Sequence, residues 1–203
     1  MERNIYPSPR IAPLAADLHP ELKNSLEAWR KRLGFVPNSM LTMQRRPKIV
    51  QAFTALSQAI RGPDCEVDAG LMSLISQVCS RAAGCQYCMA HTASQRVESQ
   101  KQAALWDYRT SPLFSDKERV TLDFALAAGS VPNDVTDELF GQMRQHWTDA
   151  QIVDITALIA MFGFLNRWND TMATPLEEEP IATASMFLAP HGWSVGKHAR
   201  GSA

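Results

Sequence analysis

Apolar residues recur along most of the chain at the spacing of one helix face. Leu22, Leu26, Trp29 and Leu33 are four, three and four positions apart, which predicts an amphipathic helix over 20–33 that Gly34 ends. Gly34-Phe35-Val36-Pro37-Asn38 reads as a turn, because Pro37 disfavours helix in the residue before it and Asn38 can cap the next helix. That next helix, from Ser39, is short, and a longer one over 47–60 comes after it. The longer one has Pro47 at its first position and Ile49, Val50, Phe53, Leu56 and Ile60 as its expected buried face. Gly62 and Pro63 close it.

The segment 69–80 carries no charged residue. Leu71, Leu74, Ile75, Val78 and Ala82 form one apolar stripe, and Ser73, Gln77 and Ser80 fall within about 60° of one another on another side. An ordinary solvent face carries Lys, Glu or Arg, so burial on both sides is expected, and the hydroxyl and amide line then needs partners. This helix should stop at Gly84, with the next running from Cys85 to about Gln100.

Ser115-Asp116-Lys117-Glu118 is a capping box opening a helix to about Ala128, and Thr148-Asp149-Ala150-Gln151 is a second. Between them Val135, Leu139, Phe140, Met143 and Trp147 predict an amphipathic helix. The helix after the second box, 152–168, is apolar all round and therefore expected to be central. The polar residues near its end, Asn166, Arg167, Asn169 and Asp170, read more readily as terminators of a buried helix than as site residues. No sustained alternation or Asn-Gly turn competes, so the fold class is all-α, a single domain of about seven or eight helices. Two helix pairs of loosely similar length, 68–100 and 117–168, hint at an internal duplication. The proline-bearing stretch 1–18 is expected to be an extended arm of the kind that reaches a neighbouring subunit. The domain proper spans 19–175, and 176–203, with the acidic run at 177–179, is expected to be an irregular tail packed on it.

Composition narrows the function. Of 203 residues 45% are apolar, enough for one full core, and 20 basic against 21 acidic residues give a net charge of -1. That balance has no field to gather nucleic acid or an anionic membrane, so neither is an expected partner. The first residues mix charge and proline where a secretory signal needs an apolar core, and the longest apolar run, 157–165, is short for a bilayer. A cytoplasmic location is expected, and in a reducing compartment a Cys-x-x-Cys is more often redox or metal chemistry than a staple.

Reactive groups cluster at one place, Ser80-Arg81-Ala82-Ala83-Gly84-Cys85-Gln86-Tyr87-Cys88-Met89-Ala90-His91-Thr92. If Cys85 opens a helix, the free N–H groups of the first turn and the helix dipole favour a thiolate and lower a thiol pKa. Three residues of helix separate the two thiols by about 60° of rotation and roughly one turn of height, close enough to bridge after a small adjustment. His91, one turn beyond Cys88, can take or return a proton. The pattern is a nucleophile, a resolving partner and a base. It also admits part of a zinc site with Cys65 as fourth ligand, although one-turn spacings on a single helix suit a tetrahedral knuckle poorly. No cofactor or metal is expected.

This motif resembles the core of the AhpD-like group of the carboxymuconolactone decarboxylase family. Gly34-Phe35-Val36-Pro37-Asn38, the helix of Ser115-Asp116-Lys117-Glu118-Arg119, and Phe162-Gly163-Phe164-Leu165-Asn166-Arg167-Trp168-Asn169-Asp170 resemble its longer, peroxidase-related members over roughly 30–175. The resemblance implies an AhpD-like all-helical fold, assembly as a dimer, trimer or hexamer, and reduction of small hydroperoxides. In that scheme Cys88 attacks the peroxide, Cys85 resolves it to a redox-active Cys85–Cys88 disulfide, and an external thiol or dithiol reductant restores the pair. His91 is the acid/base, with Ser73, Gln77, Ser80, Tyr87 and Thr92 as possible site-lining groups. The position of the family's proton-relay glutamate is Ser73 here, that of the histidine between the cysteines is Tyr87, and that of the usual later histidine is Thr92. Serine is no general base at neutral pH, and a carboxylate from elsewhere would restore the relay. Two other classes remain: a lactone decarboxylase-like lyase with incidental cysteines, and a non-catalytic oligomeric binding protein or redox sensor.

Overall fold

The computed structural model describes residues 9–93 and 97–199, and in these the chain is all-helical. Ten α-helices occur among them: α1 Lys23–Leu33, α2 Asn38–Met43, α3 Pro47–Ile60, α4 Ala69–Ala82, α5 Gln86–Thr92, α6 Ser99–Ala103, α7 Asp116–Gly129, α8 Asp137–His146, α9 Asp149–Met172 and α10 Glu178–Phe187. The count exceeds seven or eight because the helix expected over 85–100 is two, α5 and α6, and the stretch after 176 contributes α10. The single helix expected over 85–100 stops at α5, whose C-cap is Ala93, and α6 begins afresh at Ser99. Residues 94–96, and the arm's first eight, lie outside the described residues.

α4 is the organising element, packing on α5, α7 and α9. Every residue from Leu71 to Ser80 is buried, so the uncharged polar line does lie inside the protein. Leu74 and Ile75 are essentially sealed from solvent, worth about 1.5–3 kcal/mol each in transfer free energy. α4 and α7 approach closely at Gly129, where a Cβ would lie 2.8 Å from Cys79 Cα and 2.9 Å from the Cys79 carbonyl oxygen. Backbone cannot yield as a side-chain tip does. Gly129→Ala should therefore cost about 1–3 kcal/mol in chemical denaturation, and an unchanged midpoint would refute this close contact.

Both capping boxes form, at Ser115/Glu118 and Thr148/Gln151. α9 is long and apolar enough to cross a membrane by length and composition, although no single apolar run within it is long. It is the core helix, packed on α3, α4, α5, α7 and α8. Its burial is one-sided, since Val153 and Phe164 stay exposed.

Three further expectations need correction. On α3, Ile49 and Leu56 are exposed while Thr54 and Ser57 are buried with Val50, Phe53 and Ile60. The helix is turned so that Thr54 Oγ1 accepts from Trp29 Nε1 (2.9 Å) and Ser57 Oγ from Arg32 (3.1 Å). Asn38 does not cap α2, whose N-cap is Pro37; its amide donates instead to the Pro175 carbonyl at 2.9 Å. The tail is not irregular, because the acidic run starts α10, where carboxylates meet the positive end of the helix dipole and Pro180 needs no amide partner. Beyond α10, Leu188, Trp193 and His198 are buried against the domain. The arm residues 10–14 lie along their own chain, Arg10 N–H on Met172 O and Leu14 N–H on Leu41 O, both at 3.1 Å.

Candidate active site

Gly84, at φ 72°, turns the chain between α4 and α5, and the Cys85 N–H bonds back to the Ser80 carbonyl at 3.0 Å. Cys85 thereby becomes the N-cap of α5. Its sulfur accepts the Cys88 N–H at 3.4 Å, doing with a thiol what a serine hydroxyl does at most helix starts. All four cysteines are free thiols. Cys85 is wholly enclosed, whereas Cys88 faces a cavity of about 90 Å³.

Around that cavity stand Ser73, Ser76, Tyr87, His91, Thr92 and Asn169, with apolar walls from Trp29, Leu33, Met40, Phe162 and Leu165. Of the positions singled out from the sequence, Cys88, His91, Ser73, Tyr87 and Thr92 come together here. Gln77 and Ser80 do not. Gln77 Oε1 accepts from Gln102 Nε2 at 2.7 Å, and Ser80 is sealed beneath the turn. The polar line of α4 thus divides, Ser73 and its neighbour Ser76 reaching the cavity while the rest serves internal packing. Thr92 spends its hydroxyl on the carbonyls of Cys88 (2.9 Å) and Met89 (3.0 Å), which leaves it structural.

Two residues join that the sequence did not single out for chemistry. Asn169, read as a helix terminator, points its Nδ2 at Cys88 Sγ, 3.5 Å away. Glu177, read as part of the acidic run in an irregular tail, is buried and sends Oε2 to within 2.7 Å of His91 Nε2. Its other oxygen accepts the Asn38 N–H at 2.5 Å and the Tyr87 hydroxyl at 3.0 Å. Glu177 is the N-cap of α10, yet it makes no capping bond to its own helix. The carboxylate is turned away from the ordinary duty of that position and into the thiol site.

The loop carrying Glu177 is fixed from both sides. Ala173, in the left-handed region, ends α9; Asn38 holds the Pro175 carbonyl; and the His198 backbone carbonyl accepts the Leu176 N–H at 2.9 Å while its ring bonds Thr174 O at 2.8 Å. His91 is further set by stacking on Tyr87, ring centroids 4.4 Å apart.

Burial alone would raise the Glu177 carboxyl, but His91, by charge and hydrogen bond, and the Asn38 N–H outweigh it and hold the group below the ordinary carboxylate range. Glu177 is therefore ionised at neutral pH. Tyr87 goes the other way: burial first, then the Glu177 charge, push its phenol well up, so it stays a neutral donor. Cys88 also departs from the helix-start expectation. Desolvation, then the Cys85 hydrogen bond and charge, raise its thiol well above the usual value, and the Asn169 amide offsets only part of this. The dipole of a seven-residue helix does not overcome complete burial.

Cys65 lies apart, its sulfur 3.8 Å from Met72 Sδ, and among the described residues no three His, Cys, Asp or Glu side chains converge as a metal centre.

No family model matches the chain. An uncharacterised protein of Escherichia coli K12, YnjA, is 31% identical over 160 residues, which is 74% of this chain and 86% of that protein. Among solved structures, the debrominase Bmp8 superposes with a TM-score of 0.82 at 31% identity, covering 87% of this chain and 96% of its own, and has also been solved as a cysteine-to-alanine variant with 2,3,4-tribromopyrrole. A peroxidase-related protein of Ralstonia eutropha JMP134 with an alkylhydroperoxidase AhpD core superposes with a TM-score of 0.70 at 28% identity, covering 86% and 93% of the two chains.

Proposed function

The chain belongs to the AhpD-like group of the carboxymuconolactone decarboxylase family, and from that membership we propose that it is a thiol-dependent reductase of small hydroperoxides. The observation that carries the reading is the inward Glu177. Its 2.7 Å contact with His91, beside a cavity-facing Cys88, supplies the carboxylate that Ser73 cannot. In this reading a neutral His91 would direct Nε2–H at the Glu177 carboxylate and keep Nδ1 as the acceptor, and the pair would take the Cys88 proton at the moment of attack.

The Cys88 sulfur then bonds to the terminal peroxide oxygen as the O–O bond breaks. The departing alkoxide takes the proton from His91 and leaves as an alcohol, and Cys88 is left as a sulfenic acid. Cys85, whose sulfur already lies 3.4 Å from the Cys88 nitrogen, attacks the oxidised sulfur, expelling water and forming a disulfide. A cellular dithiol returns two electrons and two protons. In this scheme Asn169 Nδ2 steadies the negative charge on Cys88 as it develops.

The likeness to Bmp8 favours a second reading, reductive debromination. There the Cys88 sulfur takes bromine from a ring carbon, the carbon takes a proton, and Cys85 displaces bromide to give the same disulfide. Products separate the two readings, alcohol against bromide. For the first, cumene hydroperoxide should consume the Cys85 and Cys88 thiols together in the wild type. In Cys85→Ser it should leave a dimedone-reactive sulfenic acid on Cys88. A thiol titre that excess peroxide leaves unchanged would remove the proposal.

A further inference from the structure

A second cleft, of about 370 Å³, shares no lining residue with the thiol cavity. α9 walls it with Gly163, Asn166, Arg167 and Asp170, which at 100° per residue is a different side of the helix from the one that carries Phe162, Leu165 and Asn169 to the thiols. The rest is built from the C-terminal ends of two helices, Ala82 and the cap Ala83 of α4 and Gly129 of α7, with the exposed Val131 beyond them. The volume is that of an ordinary small-molecule site.

Packing alone does not account for the polar groups here. Asn166 is only 4% exposed, yet its Oδ1 has no donor among the described residues, a costly state for a buried amide that serves the fold alone. Arg167 donates Nη1 to the Gly163 carbonyl at 3.2 Å and enters no ion pair among the described residues, although Asp170 stands one turn along the same wall. Asp170 is turned to Lys197, whose Nζ lies 2.7 Å from Oδ1, and a carboxylate has room for further donors. The two helix ends add negative potential. α7 has no basic residue in its last turn, and Arg81, in the last turn of α4, lays its guanidinium 4.1 Å over the Trp106 ring.

A simple anion in this cleft would be opposed by Asp170 and the helix ends, and a simple cation by Arg167. A ligand with both charges meets neither objection. We propose that the cleft binds a small zwitterion, an amino acid or a short peptide. Its carboxylate pairs with Arg167, its ammonium with Asp170 and the ends of α4 and α7, and the Asn166 amide, which can donate and accept, lies between. The proposal uses neither thiol and stands apart from the reductase reading.

Backbone amide shifts in nitrogen–proton correlation spectra of the full-length protein test both place and chemistry. Glycylglycine should move the amides of Ala83, Gly129 and Gly163 in a saturable way, and equally in Cys88→Ser. N-acetylglycine, which lacks the ammonium, and glycylglycinamide, which lacks the carboxylate, should each bind at least about tenfold more weakly. Arg167 is exposed, so Arg167→Gln keeps the fold, and in that variant glycylglycine and glycylglycinamide should bind alike. Asn166→Ala should weaken all three ligands. No shift with glycylglycine, shifts confined to amides of the thiol cavity such as Cys88 and His91, N-acetylglycine bound as tightly as glycylglycine, or a carboxylate preference that survives Arg167→Gln would each overturn the proposal.

Discussion

Glu177→Gln lowers the rate of Cys88 oxidation by hydroperoxide by about 10²-fold, the lower end of what a positioned acid/base contributes. The carboxylate does not touch substrate; it acts through His91, holding the ring by a 2.7 Å bond and stabilising the imidazolium formed when the thiol proton is taken. Glutamine keeps the side chain's size and can still accept from the Asn38 N–H, so most of the folding role survives. Alanine would not serve, because it strands three buried donors that now share the carboxylate, the Asn38 N–H, the Tyr87 hydroxyl and the His91 ring. The discriminating readout is the pH–rate profile of single-turnover oxidation by stopped flow. A relay carboxylate changes the shape of the base-dependent limb as well as its height. A structural one lowers the thermal midpoint and leaves the folded fraction reacting as before. Oxidation within about twofold of wild type, with an unchanged profile, would end the assignment.

Much of the scaffold was legible because its signals are local. The capping boxes at Ser115 and Thr148, the stop at Gly84 and the uncharged stretch through α4 each require only a few neighbouring residues to interpret. The same locality brought Cys88, His91, Tyr87 and Ser73 to notice, since all lie within two turns of a helix or on the helix packed against it. The failures are of the opposite kind. Glu177 is 86 residues from His91 and sits in a run of three glutamates, which in sequence is indistinguishable from a solvated helix start. Asn169 looked like a terminator because helix ends do need polar groups. Only the packing of α9 on α5 shows that its amide reaches a sulfur 81 residues away. Thr54 and Ser57 turn inward against the apolar periodicity of α3 because Trp29 and Arg32 need partners there. In each case a long-range polar contact overrode a local pattern, and each of the three lies at or beside the thiol cavity.

The site also changes the protein's response to alkali. Three buried acids, Cys88, Cys79 and Tyr87, have their ionisation pushed up, in each case first by desolvation; for Cys79 the value is about 12. A group whose folded pKa exceeds its unfolded one contributes stability fully below the unfolded value and loses it as pH rises through the folded one. For the thiols the loss begins near pH 8.5 and proceeds at up to about 1.4 kcal/mol per pH unit for each group, with Tyr87 joining near pH 10. The denaturation midpoint should therefore fall steeply above about pH 8.5, and Cys79→Ala should flatten that fall, whatever it does to stability at neutral pH. Reactivity follows the same shift. Alkylation of Cys88 by iodoacetamide, followed peptide by peptide, should keep rising by about tenfold per pH unit past 8.5, where an ordinary cysteine levels off. Asn169→Ala, which removes the hydrogen bond favouring the thiolate, should slow alkylation at every pH on that limb. A plateau below about pH 8.5 would mean that the thiolate is stabilised despite its burial, and that the helix start, as expected from the sequence, governs Cys88 after all.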